Sequence, residues 1–219
     1  MKKTLRCVTA FVCIFALSGG PAFAWNTPGH MVSAALAFRE LKLKHPDKAD
    51  KWIAILKKHV HFNDHWKPIL DKLPAGQRDE ALFMLAARWP DDVRDPPLKA
   101  TFHRRVWHFA DHPLKFPGTP AGVPDDVVLP PPQAGDKDEG HHHLLEALPH
   151  NLALLESDDA DAPTKAIALC WVLHLVGDMH QPLHMSSRYS DKFKTGDAGG
   201  NLTFVKVPPS NATVKFHSY

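Results

Sequence analysis

Residues 161–184 read DAPTKAIALCWVLHLVGDMHQPLH, and this stretch decides the fold of the chain. Most of it is an apolar run, long enough for about five helical turns, and Pro182 follows the run. Proline cannot continue a helix, so the pattern predicts one long central helix that ends just before Pro182.

The same stretch also carries candidate metal ligands. His174 and Asp178 are four residues apart and therefore share one helix face, and His184 can fold back over the helix end. For His174 and Asp178 alone, a hydrogen-bonded pair on a partly buried helix is the simpler interpretation. With His180 and His184 added in an apolar segment, a metal site is favoured, because buried polar groups need partners that a cation supplies.

The rest of the chain predicts an all-α fold, a single mostly helical domain with long loops and a short strand-like segment near the C-terminus. Pro90 and Pro149 are expected to end or break their helices. We predict helices over 29–44, 47–60, 77–89 and 140–157, an irregular proline-rich excursion over 116–135, and a strand-like run over 201–207.

Residues 1–24 have the pattern of a secretory signal peptide. A basic start is followed by an apolar region too short to span a bilayer, and Ala22 and Ala24 form a small-residue cleavage site. We expect cleavage after Ala24, a secreted or periplasmic mature chain that begins at Trp25, no transmembrane segment after cleavage, and one domain over 25–219.

The composition also indicates which classes of function suit the chain. With 26 basic and 24 acidic side chains, the chain lacks the strong basic footprint of proteins that bind nucleic acid through phosphates. All 16 histidines lie after residue 24, whereas Cys170 is the only cysteine there, so no internal disulfide is expected and Cys170 is predicted to be a buried core thiol. A histidine-rich secreted chain without disulfides favours metal binding.

Trp25 would be an unusual ligand. If cleavage exposes it, its α-amino group titrates near neutrality, and the amine and carbonyl oxygen together form a five-membered chelate ring around a metal ion. His30, one helical turn inside, could complete the set. The alternative is that Trp25 is simply the first apolar residue of the domain, and on composition alone this alternative is preferred.

Five motifs, WNTPGH, WPDDVR, WHFAD, HLVGDMHQPLH and GGN, occur in this order and resemble the S1/P1 nuclease family. The resemblance covers essentially all of residues 25–219. It implies a secreted, mostly helical phosphoesterase with three zinc ions, related to zinc-dependent phospholipase C. By this resemblance Trp25 and His30 would bind one zinc ion together with a bridging Asp178.

The resemblance also implies the remaining site residues. Arg94 and Asp91 would be catalytic, with Arg94 stabilising charge on the phosphate, and Phe109 and Asp111 would stack on and hydrogen-bond a nucleobase. The other zinc ligands would be Asp91, His108, His174 and Asp178 for the second ion, and His184 and His217 for the third.

The sequence departs from the family pattern in one respect. The family has an aspartate four residues after the histidine that matches His217, whereas this sequence stops at Tyr219. We expect either a fragment that lacks the C-terminal end of the domain or a third zinc site without its carboxylate.

The resemblance implies a zinc-dependent endonuclease/3′-nucleotidase that hydrolyses single-stranded DNA or RNA to 5′-phosphorylated products with a metal-activated hydroxide. The expected partners are single-stranded nucleic acid or nucleotides as substrate, and the expected state is a monomer. The alternatives are a zinc phospholipase C-like phosphodiesterase and a non-catalytic, truncated zinc-binding homologue.

Overall fold

The predicted central helix is present as α7, Ala162–Met179, in the computed structural model, which describes residues 27–133, 135 and 137–218. The Asp161 side chain caps α7 by accepting a hydrogen bond from the Thr164 backbone N–H at 2.8 Å. Burial continues along α7 from Ala166 to Asp178, as its apolar sequence predicts.

The domain is mostly helical, as predicted, and α7 contacts five of the other helices, α1, α2, α4, α6 and α8. The tryptophans Trp89, Trp107 and Trp171 belong to the core that these helices enclose. The remaining helices are α1 (Thr27–Lys44), α2 (Pro46–Leu56), α3 (Lys67–Leu70), α4 (Arg78–Asp92), α5 (Lys99–Phe102), α6 (Leu144–Glu156) and α8 (Pro182–Met185). Short 3₁₀ turns span Ala75–Gln77, Arg105–His108 and Phe216–Ser218, and a π-helical turn spans Phe62–Trp66.

Two pairs of short strands complete the described fold. Strand β1 (His112–Lys115) pairs in parallel with β2 (Ser186–Tyr189), with His112 opposite Ser186. Strand β3 (Phe204–Val207), which lies within the predicted strand-like run over 201–207, pairs with β4 (Ala212–Lys215) in antiparallel fashion. The parallel pair was not predicted, and it joins the segments that follow Asp111 and His184 in the chain.

The two helix breaks predicted at prolines are wrong. Helix α4 continues through Pro90 to Asp92, and α6 continues through Pro149 to Glu156. A proline removes its own N–H from the helical ladder and crowds the carbonyl four residues earlier, yet hydrogen bonding resumes beyond Pro90, where the Val93 N–H bonds the Trp89 carbonyl at 3.2 Å. Pro90 itself is buried, so tertiary packing outweighs the local preference.

The proline-rich segment is irregular, as predicted, because its described residues form no helix or strand. The predicted signal peptide and Trp25 lie outside the described residues. In the part of the chain that the structure covers, no helix combines the length and apolarity needed to cross a bilayer.

Candidate metal centre

The carboxylate of Asp178 is the centre of the site. It is fully buried on α7, and imidazoles from three other segments and from its own helix surround it. His174 Nε2 and His108 Nδ1 lie 3.1 and 3.3 Å from Oδ2, while His30 Nε2 and His184 Nδ1 lie 3.4 and 3.0 Å from Oδ1. Helices α1, α7 and α8 and the 3₁₀ turn before Phe109 therefore converge on one carboxyl group.

Backbone carbonyls fix the orientation of three predicted histidine ligands. His174 Nδ1 donates to the Ala87 carbonyl at 2.8 Å, and His184 Nδ1 donates to the His108 carbonyl at 2.9 Å. His217 Nδ1 donates to the Gly199 carbonyl at 2.6 Å. Each bond places a proton on Nδ1 and leaves Nε2 with its lone pair, which is the tautomer that binds a metal ion.

Asp91 is the second carboxylate of the site, supplied by the last turn of α4. Its Oδ1 lies 3.5 Å from His174 Nε2 and 3.9 Å from His108 Nδ1. Arg94, one turn further along the chain, forms an ion pair with the same oxygen, and its Nη2 lies 3.5 Å from His108 Nδ1. The proline that α4 tolerates at position 90 thus precedes a carboxylate held at the centre.

A glycine on α7 makes room for His30 on α1. The His30 ring stacks on the His174 ring with a centroid distance of 3.7 Å. A Cβ at Gly177 would lie 2.9 Å from His30 Nδ1, closer than side chains approach one another. Gly177, which the sequence analysis did not assign a role, therefore lets α1 bring His30 to the centre.

His184 and His217 form a second edge of the centre, and their rings stack at 5.0 Å. Gly199 supports this arrangement with a positive φ of 57° and with close packing, because a Cβ there would lie 2.1 Å from the Leu183 carbonyl oxygen. The GGN motif thus brings the His217 turn against α8.

Burial and charge act against each other in this cluster. Burial lowers the pKa of His108 to about 3, and it also lowers the pKa of His30. Burial opposes protonation of His174 too, but Asp178 and Asp91 outweigh it and raise the His174 pKa. Burial would likewise raise the pKa of Asp178, yet the surrounding histidines hold it well below its usual range, so its carboxylate stays ionised at the centre.

The donor set fits a metal ion. In each of two groups of side chains, the ligand atoms lie within 4.8 Å of one another. The first group is His30, Asp91 and His174, and the second is His108, His174 and Asp178, so His174 belongs to both. Within the described residues, Asp178 Oδ1 and His184 Nε2 are buried and form no hydrogen bond. Imidazole nitrogens and carboxylate oxygens in such convergence are the ligands that Zn²⁺ prefers.

A cavity of about 390 Å³ lies against this centre. Arg94, His108, His184 and His217 line it, so the predicted metal ligands face a space large enough for a small molecule or nucleotide. The other lining residues are His103, Arg105, Phe109, Asp111, Pro130, Leu183, Ala198, Gly199 and Asn201.

Phe109 and Asp111, the predicted base-binding residues, line the same cavity. Burial, reinforced by the nearby Asp197 carboxylate, raises the pKa of Asp111 to about 6. Asp197 is itself buried and accepts hydrogen bonds from the Arg188 backbone N–H and the Thr203 hydroxyl at 2.9 Å each. Asp197 thus anchors the loop whose residues Ala198, Gly199 and Asn201 line the cavity.

The structure therefore brings together all the predicted site residues that it describes, and Trp25 lies outside the described residues. His180 was counted with His174, Asp178 and His184 as one of the closely spaced polar residues that favoured a metal site, but it does not belong to the centre. It is exposed and donates from Nδ1 to the Val176 carbonyl at 2.7 Å. Arg105 and Asp197 were not predicted to belong to the site, because nothing in their local sequence marks them. Asn201 lies in the quoted GGN motif but was given no role.

The helical domain thus buries a histidine–carboxylate centre that could hold a metal ion beside an open cavity. The model of the S1/P1 nuclease family matches residues 25–219, so the chain belongs to this family of phosphodiester-hydrolysing nucleases. No curated protein and no solved structure matches the chain.

Proposed function

We propose that this chain is a zinc-dependent endonuclease and 3′-nucleotidase that acts on single-stranded DNA or RNA and releases 5′-phosphorylated products. The observation that carries the proposal is the convergence of four imidazoles on the buried Asp178 carboxylate, directly beside a cavity that Arg94 lines. Membership of the S1/P1 nuclease family supports the same reaction class.

The ligands of the metal ions would be the described residues His30, Asp91, His108, His174, Asp178, His184 and His217, together with Trp25. Bound Zn²⁺ supplies Lewis acidity, which lowers the pKa of water and offsets negative charge on phosphate. The chain orients the ligands through the Ala87, His108 and Gly199 carbonyls, which hold the imidazoles of His174, His184 and His217.

Arg94 would bind the scissile phosphate. Its side chain is half exposed, lines the cavity and forms an ion pair with Asp91. A guanidinium in this position donates to phosphoryl oxygens and stabilises the charge that develops on them during hydrolysis. Asp91 in turn holds the guanidinium beside the metal centre.

Phe109 and Asp111 would recognise a nucleobase. An aromatic ring offers a stacking surface that needs an unpaired base, which favours single strands over duplexes. The Asp111 carboxylate accepts hydrogen bonds from base N–H groups when it is ionised. The balanced charge of the chain is compatible with this mode, since stacking and metal contacts replace a broad basic surface.

The predicted signal peptide supports a secreted or periplasmic location for this activity, and we propose a monomer as the active unit. Single-stranded nucleic acid or nucleotides are the proposed substrate, in preference to a phospholipid, because Phe109 and Asp111 face the cavity.

The proposal is tested by assaying the zinc-loaded chain on single-stranded DNA, duplex DNA and phosphatidylcholine vesicles. We expect 5′-phosphorylated products from single strands only. Arg94→Ala is expected to lower the rate about 100-fold. Arg39→Ala, which removes an exposed guanidinium paired with Glu80 on α4, is the matched control and should leave the rate unchanged. Phosphocholine release without nucleotide release would overturn the proposal in favour of a phospholipase.

A further inference from the structure

A second guanidinium lines the cavity beside the metal centre, and the proposed function gives it no role. Arg105 begins the 3₁₀ turn Arg105–His108, and it lines the cavity together with Arg94. Residues three apart in a 3₁₀ helix project from the same side, so Arg105 lies one turn before His108 on the same face.

Arg105 and the predicted base-binding residues lie on opposite sides of His108 in the chain. Arg105 precedes the buried metal ligand by one turn, whereas Phe109 and Asp111 follow it and supply the groups suited to a base. Arg94 approaches His108 from a different element, with its Nη2 3.5 Å from His108 Nδ1. Two arginines from separate elements therefore flank the same ligand.

The proline-rich excursion positions the Arg105 side chain. Arg105 Nη2 donates to the Pro131 carbonyl at 3.2 Å, and the neighbouring Pro130 lines the cavity. Arg105 is partly buried, so its guanidinium is held at the cavity rather than projecting freely into water. A fixed, planar guanidinium is well suited to phosphate recognition.

Arg94 already stands beside the centre in an ion pair with Asp91, whereas Arg105 reaches the cavity from the 3₁₀ turn and is held by the Pro131 carbonyl. We propose that Arg105 binds the phosphate next to the scissile one, so that oligonucleotides are hydrolysed with a higher kcat/KM than the single-phosphate substrates that the site also accepts. This inference rests on the proposed function and identifies its preferred substrate class.

The experiment compares hydrolysis of a dinucleotide with one phosphodiester and a trinucleotide with two. Arg105→Ala is expected to lower kcat/KM for the trinucleotide about tenfold, the effect of losing a charge-assisted hydrogen bond, and to change kcat/KM for the dinucleotide less than about twofold. Arg105→Lys should restore part of the loss, and Arg39→Ala, an exposed arginine on α1, is the charge-matched control.

Trinucleotides with one neutral methylphosphonate linkage separate phosphate binding from a purely structural role. The wild type should lose about tenfold in kcat/KM when the linkage contacted by Arg105 is neutral, whereas Arg105→Ala should lose nothing further. An equal loss on the dinucleotide and the trinucleotide, or an undiminished methylphosphonate effect in the variant, overturns the inference.

A binding measurement keeps this inference distinguishable from the proposed function. Fluorescence anisotropy of a labelled trinucleotide, with chelator present to prevent hydrolysis, should show weaker binding for Arg105→Ala and an unchanged affinity for the methylphosphonate analogue. Arg105-dependent binding without any hydrolysis in zinc would contradict the proposed function alone. Hydrolysis that is indifferent to Arg105 would contradict this inference alone.

Discussion

Histidines are buried in two places in this chain, beside carboxylates around Asp178 and beside tryptophans around His59. His59 is only 3% exposed and stacks on Trp66 at 4.3 Å. Its neighbour His61 accepts a hydrogen bond from Trp89 Nε1 at 2.9 Å. Both clusters bury imidazoles, but only the Asp178 cluster also buries negative charge.

The carboxylates account for the different chemistry. Burial, with a smaller effect from His61, lowers the pKa of His59 to about 3, so the His59 cluster is neutral. In the Asp178 cluster the carboxylates raise the pKa of His174 despite complete burial. Among the described residues, His59 belongs to neither of the groups whose ligand atoms converge within 4.8 Å. Histidine burial alone is therefore a packing feature, and buried carboxylates turn it into a cation site.

The largest expected effect comes from removing the central charge. Asp178→Asn should lower hydrolysis by more than about 100-fold, because loss of even an outer-shell partner of a metal ligand costs 10–100-fold. His59→Phe, the matched change in the other cluster, should stay within about twofold of the wild-type rate. Steady-state kinetics on single-stranded DNA measures both, and equal losses in the two variants would remove the distinction between the clusters.

Metal removal should destabilise the chain through the Asp178 cluster alone. A ligand that binds only the folded state at 100 times its Kd stabilises by about 2.7 kcal/mol, so zinc should raise the Tm of the wild type and of His59→Phe. Asp178→Asn should show little zinc-dependent change. Thermal unfolding with zinc or with chelator measures this, and a zinc effect that persists in Asp178→Asn would place the binding elsewhere.

The His59 cluster should make the unfolding free energy of the chain sensitive to acid. The folded-state pKa of His59 is about 3, below its ordinary value of 6.5, so its contribution is present above pH 6.5 and is lost as the pH falls towards 3. His59→Phe should therefore lose less stability on acidification, by about 1.4 kcal/mol per pH unit within this window. Urea unfolding of the chelated protein at pH 7 and pH 5 measures the slope. The exposed His65→Phe change is the control. If the unfolding free energy changes with pH equally in the wild type and in His59→Phe, the assignment is contradicted.

The packing that admits His30 to the centre should tolerate no added methyl group. Gly177→Ala places a Cβ 2.9 Å from His30 Nδ1 and should cost about 1–3 kcal/mol of unfolding free energy, together with weaker zinc binding. Gly76→Ala meets no atom within 4 Å and serves as the control. If urea unfolding finds the two variants equally stable, the close approach of α1 and α7 does not constrain the centre.

The smallest expected effect concerns base selection. The Asp111 pKa is raised to about 6, so its carboxylate is ionised above that pH and loses acceptor capacity below it. The kcat/KM ratio between an adenine-containing dinucleotide and its abasic analogue should fall about tenfold in Asp111→Asn at pH 7, the effect of one charged hydrogen bond. The ratio should also fall below pH 6 in the wild type only. A ratio that depends equally on pH in both proteins would exclude Asp111 as the cause.

The sequence predicted the features that depend on local pattern. The apolar run of α7 and the spacing of His174 and Asp178 predicted both a helix and a ligand pair on one face. The proline breaks failed because Pro90 is buried among helices whose packing outweighs one lost hydrogen bond. The parallel pair β1–β2 could not be predicted from its four-residue segments, since its pairing joins residues more than 70 positions apart.

In the candidate site, too, the residues in local motifs could be predicted, whereas the residues that act through their neighbours in space could not. The family resemblance pointed to ligands on six separate elements, helices α1, α4, α7 and α8 and two 3₁₀ turns, which periodicity alone could not bring together. Gly177 and Arg105 escaped prediction because their roles depend on what lies opposite them, a histidine ring for Gly177 and a cavity for Arg105. His59 and His174 both lie in apolar surroundings, and only the three-dimensional position of Asp91 and Asp178 separates a packing histidine from a ligand.

The most direct test is the zinc content of the wild type, Asp178→Asn and His59→Phe, measured by elemental analysis after zinc loading and removal of free metal. The account predicts tightly bound zinc in the wild type, an equal amount in His59→Phe and a clear loss in Asp178→Asn. A wild-type chain that retains no zinc, or an Asp178→Asn variant that retains as much as the wild type, would contradict the claim that the Asp178 cluster is a metal centre.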